Sequence, residues 1–281
     1  MKKVLLVFLV LFVLALISLF FVALQKNIPI GDRVALIRIE GPIVDSKAAI
    51  DEIKEHGKDP SIKAIVLRID SPGGAVAPSQ EIYEEVRKVA AKKKVVVSMG
   101  SVAASGGYYI AAPATRIFAN PGTLTGSIGV IMEIPNIEGL MNKIGVKTEV
   151  IKSGSHKDLA SMFRSMGKEE RAILQGVLDN VHEQFIKAVA DGRRILVDDV
   201  RKIADGRVFT GEQAVKAGLV DQLGDLEDSI KAAAQLAGIK GEPEIVTKKE
   251  HFSLINLLRD GVPKEFSDIF PSVKIKYLFA P

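Results

Sequence analysis

The amino-acid sequence predicts an α/β fold in which helices pack over a largely parallel sheet. In the first half of the chain, apolar runs rich in β-branched residues alternate with segments of helical spacing. The runs Val34–Glu40, Lys63–Asp70 and Val95–Val97 are typical of buried strands, and the segments Ser46–His56 and Pro78–Ala91 are typical of helices. An order of strand, helix and strand favours a parallel sheet covered by helices.

Shorter elements are predicted in the second half. The strands are Arg116–Ala119, Thr123–Met132, Lys147–Ile151 and Glu244–Thr247, and the helices are Asn136–Ile144 and Lys168–Arg193. The last helix carries an apolar stripe that suits packing or subunit contacts. The chain then divides into a membrane anchor over residues 1–26, a globular domain over residues 27–240, and a tail over residues 241–281 that packs on the domain or on a neighbouring subunit.

Near the N-terminus lies a long apolar segment, Val4–Leu24, whose only polar side chain is Ser18. At about 1.5 Å per residue, a helix of this length covers the hydrocarbon core of a bilayer. Lys2 and Lys3 precede the segment and Lys26 follows it, so the positive-inside rule places the N-terminus in the cytoplasm. We therefore expect an uncleaved single-pass anchor that contacts lipid through residues 4–24, with the rest of the chain outside the cytoplasm.

Composition excludes several classes of function. With 281 residues and 47% hydrophobic content the chain can bury a large core, and the absence of cysteine excludes disulfides, thiolate metal sites and cysteine nucleophiles. Without Lys2, Lys3 and Lys26, the 38 Lys and Arg residues fall to 35, against 34 Asp and Glu. The domain is nearly neutral and lacks the basic stripe of a nucleic-acid binder, so no nucleic-acid partner is expected.

The candidate nucleophile is Ser105, at a predicted strand-to-helix junction after Val95–Val97. A side chain there lies beside free backbone N–H groups and the positive end of a helix dipole, which suits a nucleophile. The loop Ser71–Gly74 follows the strand Lys63–Asp70, and its glycines let the backbone approach another group closely. Since sites gather beyond the carboxyl ends of parallel strands, we expect Ser71–Gly74, Ser105 and Lys157 to converge in one crevice.

A serine hydroxyl needs a base, and two neighbouring residues are candidates. Of the four histidines, only His156 lies near other candidate residues in the sequence. Lys157 follows the small residues Ser153, Gly154 and Ser155, which leave room for its side chain. A lysine can act as a base because burial disfavours its ammonium form. The residues alone leave both candidates open.

Four motifs carry a resemblance to a known family. They are Asp70-Ser-Pro-Gly-Gly74, Ala104-Ser-Gly-Gly-Tyr-Tyr-Ile-Ala111, Thr125-Gly-Ser-Ile-Gly-Val130 and Ser153-Gly-Ser-His-Lys-Asp158, in this order behind the predicted anchor. In this combination the chain resembles the signal peptide peptidase A family of membrane-bound serine peptidases, in its short, single-module form. The resemblance covers roughly Val34–Gly238. It implies the fold of ClpP and the crotonases, a right-handed spiral of ββα units, preceded here by one transmembrane helix.

The resemblance also implies roles for individual residues. Ser105 is then the nucleophile, Lys157 the general base and Ser127 the hydroxyl that orients the lysine amine. Taken singly these residues would not support such roles, because a lone Ser-Gly-Gly is typical of a helix cap and a lone loop lysine of a solvated charge. The order and number of the motifs make the interpretation specific.

The implied oxyanion hole uses the amide of Gly106 and one from Gly73 or Gly74, and backbone donors of this kind stabilise the charge that develops in acyl transfer. The implied activity is endoproteolysis of hydrophobic peptides, such as cleaved signal peptides, through an acyl-enzyme. The implied assembly is a homo-oligomer, by resemblance an octamer. No cofactor and no metal are implied.

Two alternatives stay open. In one, His156 is the base and Asp158 or another acid orients it; His156 and Lys157 cannot both point at Ser105, because adjacent residues of an extended segment face opposite ways. In the other, the domain is an inactive peptide-binding scaffold on the membrane. Other enzyme classes lack their motifs: there is no Gly-x-Ser-x-Gly elbow, no Rossmann or Walker glycine pattern and no second histidine for a zincin.

Overall fold

The structure, a computed structural model, describes residues 12–14, 18, 32–247 and 275–278. Most of the predicted anchor Val4–Leu24, and most of the predicted tail over residues 241–281, therefore lie outside the described residues. Positions 12–14 and 18 are helical. Within the described ranges we find no helix whose length and hydropathy would let it cross a membrane.

Strands and helices alternate through most of the described chain. The strands are β1 (Arg33–Glu40), β2 (Ile62–Ser71), β3 (Gly73–Ala75), β4 (Lys94–Ala104), β5 (Arg116–Ala119), β6 (Leu124–Gly126), β7 (Ile131–Met132), β8 (Val208–Thr210), β9 (Gln222–Leu223), β10 (Glu244–Val246) and β11 (Ile275–Leu278). The helices are α1 (Lys47–Lys58), α2 (Val76–Ala90), α3 (Gly106–Ala111), α4 (Glu138–Lys143), α5 (Lys168–Arg193), α6 (Val197–Ile203), α7 (Gly211–Lys216) and α8 (Leu226–Leu236).

The main sheet has the order β10–β1–β2–β4–β5–β9, and each neighbouring pair in this order is parallel. Strand β6 pairs in parallel with the end of β4, and β8 pairs antiparallel with β6. The sheet is therefore mixed. Its central strands are parallel, and their carboxyl ends lie at the same edge of the sheet. The predicted α/β fold is confirmed.

The central strands are apolar at nearly every position because both faces of the sheet are covered. One face, with Ile37 and Leu67, belongs to a core that also contains side chains of α1, α2, α3 and α5. The other face, with Leu36 and Val66, belongs to a second core closed by α8. Successive side chains of a strand point to opposite faces, so a strand buried on both faces becomes a continuous apolar run.

Two predicted strands differ in the structure. Lys147–Ile151 forms neither helix nor strand, and its Val150 and Ile151 are exposed. The segment has a strand-like composition, but it pairs with no strand in residues 32–247, and a strand is stable only where a neighbour accepts its backbone hydrogen bonds. The single strand predicted over Thr123–Met132 is divided into β6 and β7, because the backbone turns at Ser127, whose φ is 51°.

A second, smaller sheet has the order β3–β11–β7. Strand β11 runs antiparallel to both neighbours, and its register places Leu278 opposite Gly73 and Tyr277 opposite Gly74. The predicted loop Ser71–Gly74 therefore contains the start of a short strand. This part of the C-terminal tail lies in the space between β3 and β7.

The 26-residue helix α5 is buried only in its C-terminal half, at Phe185, Ile186, Ala188, Val189 and Ala190. In its N-terminal half Ile173 and Val177 are 38% and 41% exposed. Near its end it touches the segment after α3, where a Cβ on Gly192 would lie 2.4 Å from the carbonyl oxygen of Ala112. The predicted apolar stripe is thus divided between the core and the surface.

The first prediction concerns Tyr108, which ties α3 to the segment before β9. Its buried hydroxyl donates to the carbonyl oxygen of Leu219 at 2.9 Å, and burial raises the pKa of the phenol. Because Tyr108→Phe removes the donor from a buried carbonyl, we expect the free energy of unfolding to fall by about 1–2 kcal/mol. Denaturant unfolding of the full chain measures this. Tyr83→Phe is the control, since that hydroxyl lies 3.5 Å from its acceptor; equal losses in both variants would contradict the assignment.

Candidate active site

Strand β4 bulges near its end, where its pairing with β2 shifts in register between Ile69 and Ser71. Asp70 lies at this bulge, and its Oδ1 accepts a hydrogen bond from the amide of Val102 at 3.0 Å. Gly100 leaves the necessary room, because a Cβ there would lie 2.5 Å from the carboxyl carbon of Asp70. A bulge re-aims the end of a strand, and here it sets the direction of the residue that follows β4.

That residue is Ser105, whose φ of 53° and ψ of −116° are unusual for a residue with a side chain. Its amide donates to the carbonyl oxygen of Gly126 at 2.8 Å, and its own carbonyl accepts from the amide of Tyr109 at 2.8 Å. Ser105 is 1% exposed, and its Oγ is buried without a hydrogen-bond partner among the described residues. Strain and an unsatisfied hydroxyl at a strand-to-helix junction are features of functional sites.

The candidate oxyanion glycines lie beside Ser105. A Cβ on Gly106 would lie 3.2 Å from the Cα of Gly73 and 3.2 Å from the nitrogen of Gly74, so a glycine is needed for α3 to begin this close to β3. The amide of Gly106 belongs to the first turn of α3 and has no intrahelical acceptor. The amide of Gly73 donates to the Oγ of Ser71 at 3.1 Å. The structure thus brings all three glycines together at Ser105.

Ser127 is linked to Ser105 through β6. It directly follows Gly126, which accepts the hydrogen bond from the Ser105 amide. Its own amide donates to the carbonyl oxygen of Arg207 at 2.8 Å, and its φ is also positive, at 51°. The Oγ1 of Thr125 donates to the carbonyl oxygen of Ala103 at 2.7 Å and holds β6 against β4. Two serines with positive φ therefore lie directly after the ends of neighbouring strands.

A cavity of about 550 Å³ opens beside Ser127. Its lining includes Gln175, Asp179 and His182 of α5 and Asp205 of the segment before β8. The Nε2 of His182 is buried without a hydrogen-bond partner in the described part of the chain. The sequence predicted no role for His182. The helical spacing of these three residues was the signal that they share one face.

Lys157 is not hydrogen-bonded to Ser105 in the described part of the chain. It lies in the irregular segment 152–167, is exposed, and donates its amide to the carbonyl oxygen of Gly154 at 3.1 Å. The Oγ of Ser105 has no hydrogen-bond partner among the described residues. The preceding segment Lys147–Ile151 is irregular and is not the predicted strand. The convergence of Lys157 with Ser105 and Ser71–Gly74 in one crevice stays a prediction.

The alternative triad is not assembled either. The Nε2 of His156 lies 3.7 Å from the Oε1 of Glu169, on the first turn of α5. The carboxylate of Asp158 is engaged by the side chains of Lys152 and Arg164. Neither the imidazole nor the carboxylate of this pair therefore serves the candidate nucleophile within one chain.

The chemistry that one chain does assemble is a hydroxyl beside backbone N–H donors. In the described ranges, no group of three or more His, Asp or Glu residues is arranged to hold a metal ion. A buried hydroxyl next to donors at a helix start is suited to nucleophilic attack on a carbonyl with stabilisation of the resulting oxyanion. The arrangement fits acyl transfer.

Comparison with known proteins agrees with this chemistry. The family model described as peptidase family S49 matches residues 87–240, and the model described as Clp protease matches residues 35–124. A candidate protease of Synechocystis is 45% identical over 234 residues, which cover 82% of this chain and 83% of that protein. A candidate signal peptide peptidase of Enterococcus faecium is 39% identical over 184 residues, covering 64% of this chain and 53% of that protein.

The chloroplast serine protease SPPA of Arabidopsis thaliana is 35% identical over 222 residues, which cover 74% of this chain and 33% of that longer protein. High coverage of the Synechocystis relative is consistent with a short, single-module form. The family match spans more than half of the chain, and the α/β fold with its mixed sheet is ClpP-like. The chain therefore belongs to peptidase family S49 and is a serine peptidase of the signal peptide peptidase type.

Proposed function

We propose that this chain is a membrane-anchored serine endopeptidase that cuts hydrophobic peptides, such as cleaved signal peptides, through an acyl-enzyme on Ser105. The observation that carries the proposal is the Oγ of Ser105, which is buried on a strained backbone and has no hydrogen-bond partner among the described residues. A hydroxyl that donates to no acceptor in this part of the chain is available to give its proton to an incoming base. The name of the Enterococcus faecium relative, a signal peptide peptidase, supports the substrate class.

The base in this proposal is Lys157, with Ser127 orienting its amine. The Oγ of Ser105 attacks the scissile carbonyl carbon and its proton passes to the Nζ of Lys157, so the base must begin in its neutral form. The C–N bond then breaks, and Lys157 returns the proton to the leaving amine. Water attacks the ester by the same route and releases Ser105.

The oxyanion is held by the amide of Gly106 together with one from β3. The amide of Gly73 already donates to the Oγ of Ser71, which favours Gly74 as the second donor. Backbone donors cost no reorganisation when the negative charge develops on the carbonyl oxygen.

The substrate, in this proposal, runs as an extended chain between β3 and β7. The backbone of β11 occupies this place and lies antiparallel to both strands, which supports a space of the width of one strand that a substrate would fill in place of β11. A peptide added beside β3 would gain main-chain hydrogen bonds and reach the oxyanion glycines. Folded proteins would be poor substrates because they present no extended chain.

The base reaches Ser105, we propose, from a second copy of the chain. The arm, defined as residues 131–166, carries Lys157 and exposes the apolar side chains of Leu140, Ile144, Val150 and Ile151. An apolar surface of this kind marks an interaction site. A homo-oligomer covers the arm and completes a site in which, among the described residues, no base is hydrogen-bonded to Ser105. The resemblance favours a closed ring of eight subunits.

The membrane location belongs to the same proposal. Residues 4–24 are apolar enough to span a bilayer, and the flanking lysines favour a cytoplasmic N-terminus with the peptidase domain outside. An anchored enzyme is concentrated where hydrophobic peptides partition.

The second prediction tests the nucleophile and base. Ser105→Ala and Lys157→Met each lower kcat/KM for a chromogenic hydrophobic peptide by about 10⁴-fold, and the double variant is no worse, because the two groups act as a unit. His156→Gln alters the adjacent side chain and is the matched control, with near-normal turnover. The Ser/His alternative wins if His156→Gln abolishes turnover and Lys157→Met spares it. Failure of a fluorophosphonate probe to label Ser105 would favour the inactive scaffold.

The third prediction tests where the base comes from. Chains with Ser105→Ala and chains with Lys157→Met are each inactive, but co-expression restores activity at roughly one quarter of the sites, where an intact Ser105 meets an intact Lys157 of a neighbour. Peptide hydrolysis by the mixed assembly measures this, and mixtures of either variant with itself are the control. A mixture that stays inactive would show that each chain supplies its own base.

The fourth prediction concerns the contact between α3 and β3. Gly106→Ala forces the two apart, because its Cβ would lie 2.6 Å from the Oγ of Ser79 as well as 3.2 Å from Gly73. We expect kcat/KM to fall about 100-fold, the scale of a misplacement of about 1 Å. Gly122→Ala is the control, since nothing lies within 4 Å of a Cβ there. Equal activity of the two variants would remove the oxyanion role from Gly106.

A further inference from the structure

The irregular segment 152–167 is folded around one side chain, that of Arg164. Its Nε donates to the Oδ2 of Asp158 at 2.9 Å, and one Nη donates to the Oε2 of Glu170 at 2.8 Å. Lys152 donates to the other oxygen of Asp158 at 2.5 Å. These four residues, which we call the Arg164 cluster, join the start of the segment, its middle and the first turn of α5.

The Arg164 cluster is better shielded than most surface ion pairs of the chain. The side chains of Asp158 and Glu170 are each 12% exposed, and that of Arg164 is 34% exposed. Hydrogen bonds from Arg164 lower the pKa of the Asp158 carboxyl and lower that of Glu170 to about 2. A guanidinium that binds two carboxylates through separate donors fixes their geometry, which a single exposed ion pair does not.

The cluster lies directly beside Lys157 in the chain. Asp158 is the next residue, and its carboxylate is held from both sides, whereas the ammonium of Lys157 makes no hydrogen bond or ion pair within residues 32–247. Segment 152–167 has no helix or strand of its own to fix its backbone. The cluster therefore supplies the rigidity that regular structure does not.

We infer that Arg164 is a positioning residue for Lys157: by tying Asp158 to Glu170 on α5, it holds the backbone of the base and balances the charge around its amine. The inference rests on the proposed role of Lys157 as general base. Arg164 makes no hydrogen bond to the Oγ of Ser105 among the described residues, and we infer that it acts through Lys157.

The charges around Lys157 predict an effect on the pH dependence of activity that a purely structural role of Arg164 would not produce. The ionisable groups of the segment are Lys152, His156, Lys157, Asp158 and Arg164, and those of the first turn of α5 are Lys168, Glu169, Glu170 and Arg171. Ser165 also donates to Glu138 of α4. Loss of Arg164 removes one positive charge from the cluster, although Lys152 still pairs with Asp158, and the more negative surroundings favour the charged form of the Lys157 amine. Loss of the Asp158 charge removes one negative charge, although Arg164 still pairs with Glu170, and the more positive surroundings favour the neutral, active form.

The test is the pH dependence of kcat/KM for the full chain and its variants. Arg164→Met moves the midpoint of the acidic limb to higher pH and Asp158→Asn moves it to lower pH, each by about half a pH unit. Both variants also lower the maximum kcat/KM of the pH profile by about tenfold or more, because the proposed base is misplaced. Arg201→Met is the matched control: it removes a two-bond pair with Glu183 on α5, at 2.6 and 3.0 Å, outside the segment, and leaves the limb in place.

Opposite shifts support the inference, since a general loosening of the fold would not move the two limbs in opposite directions. The inference is overturned if the two variants shift the midpoint of the acidic limb in the same direction. It is also overturned if both midpoints equal that of Arg201→Met. If Arg164→Met fails to fold, the Asp158→Asn profile decides alone, with an unchanged limb as the negative result. If Lys157→Met itself retains activity, the proposed function fails; if Lys157→Met is inactive and neither limb moves, only this inference fails.

Discussion

The hydrogen bond from the Ser105 amide to the carbonyl oxygen of Gly126 is the contact on which the site depends. A positive φ at a serine costs about 1–3 kcal/mol and persists only where the surroundings impose it. The bond to Gly126, together with the bond that the Ser105 carbonyl accepts from the Tyr109 amide, holds Ser105 at its positive φ. Because Gly126 precedes Ser127, the same bond also fixes the distance between the two serines. The nucleophile and the hydroxyl proposed to orient its base are thus positioned by one ladder of β4 and β6.

The sequence predicted correctly those elements whose burial can be read from their own composition. Strands β1, β2 and β4 are covered on both faces, so each is a continuous apolar run that composition alone reveals. The Ser105 junction was predictable for a related reason, since small residues between a strand and a helix allow the backbone to approach a neighbour closely. The glycines that meet there, Gly73, Gly74 and Gly106, were predicted and are found together.

Sequence reasoning failed where the partner of a segment is remote. Lys147–Ile151 has the composition of a strand, yet the described part of the chain offers it no strand to pair with. Lys157 follows that segment, so its position relative to Ser105 could not be derived from the predicted strand. His182 was missed because its cavity is formed by the turn at Ser127 and by the segment that contains Asp205, which its own helix does not reveal. The strand β11 likewise takes its place from β3 and β7, which lie far away in sequence.

The half-buried helix α5 has a mechanical consequence. Its C-terminal half is clamped in the core, where Gly192 lies against Ala112 just after α3, and its first turn carries Glu170. The distance from Ala188 to Glu170 along the helix is about 27 Å at 1.5 Å per residue. A tilt of only about 2° at the clamp therefore displaces the tip by about 1 Å. The buried end of the helix lies against the residue after α3, and its other end is joined to the segment that contains Lys157. Packing changes around Phe185 or Gly192 would therefore displace the segment of the proposed base.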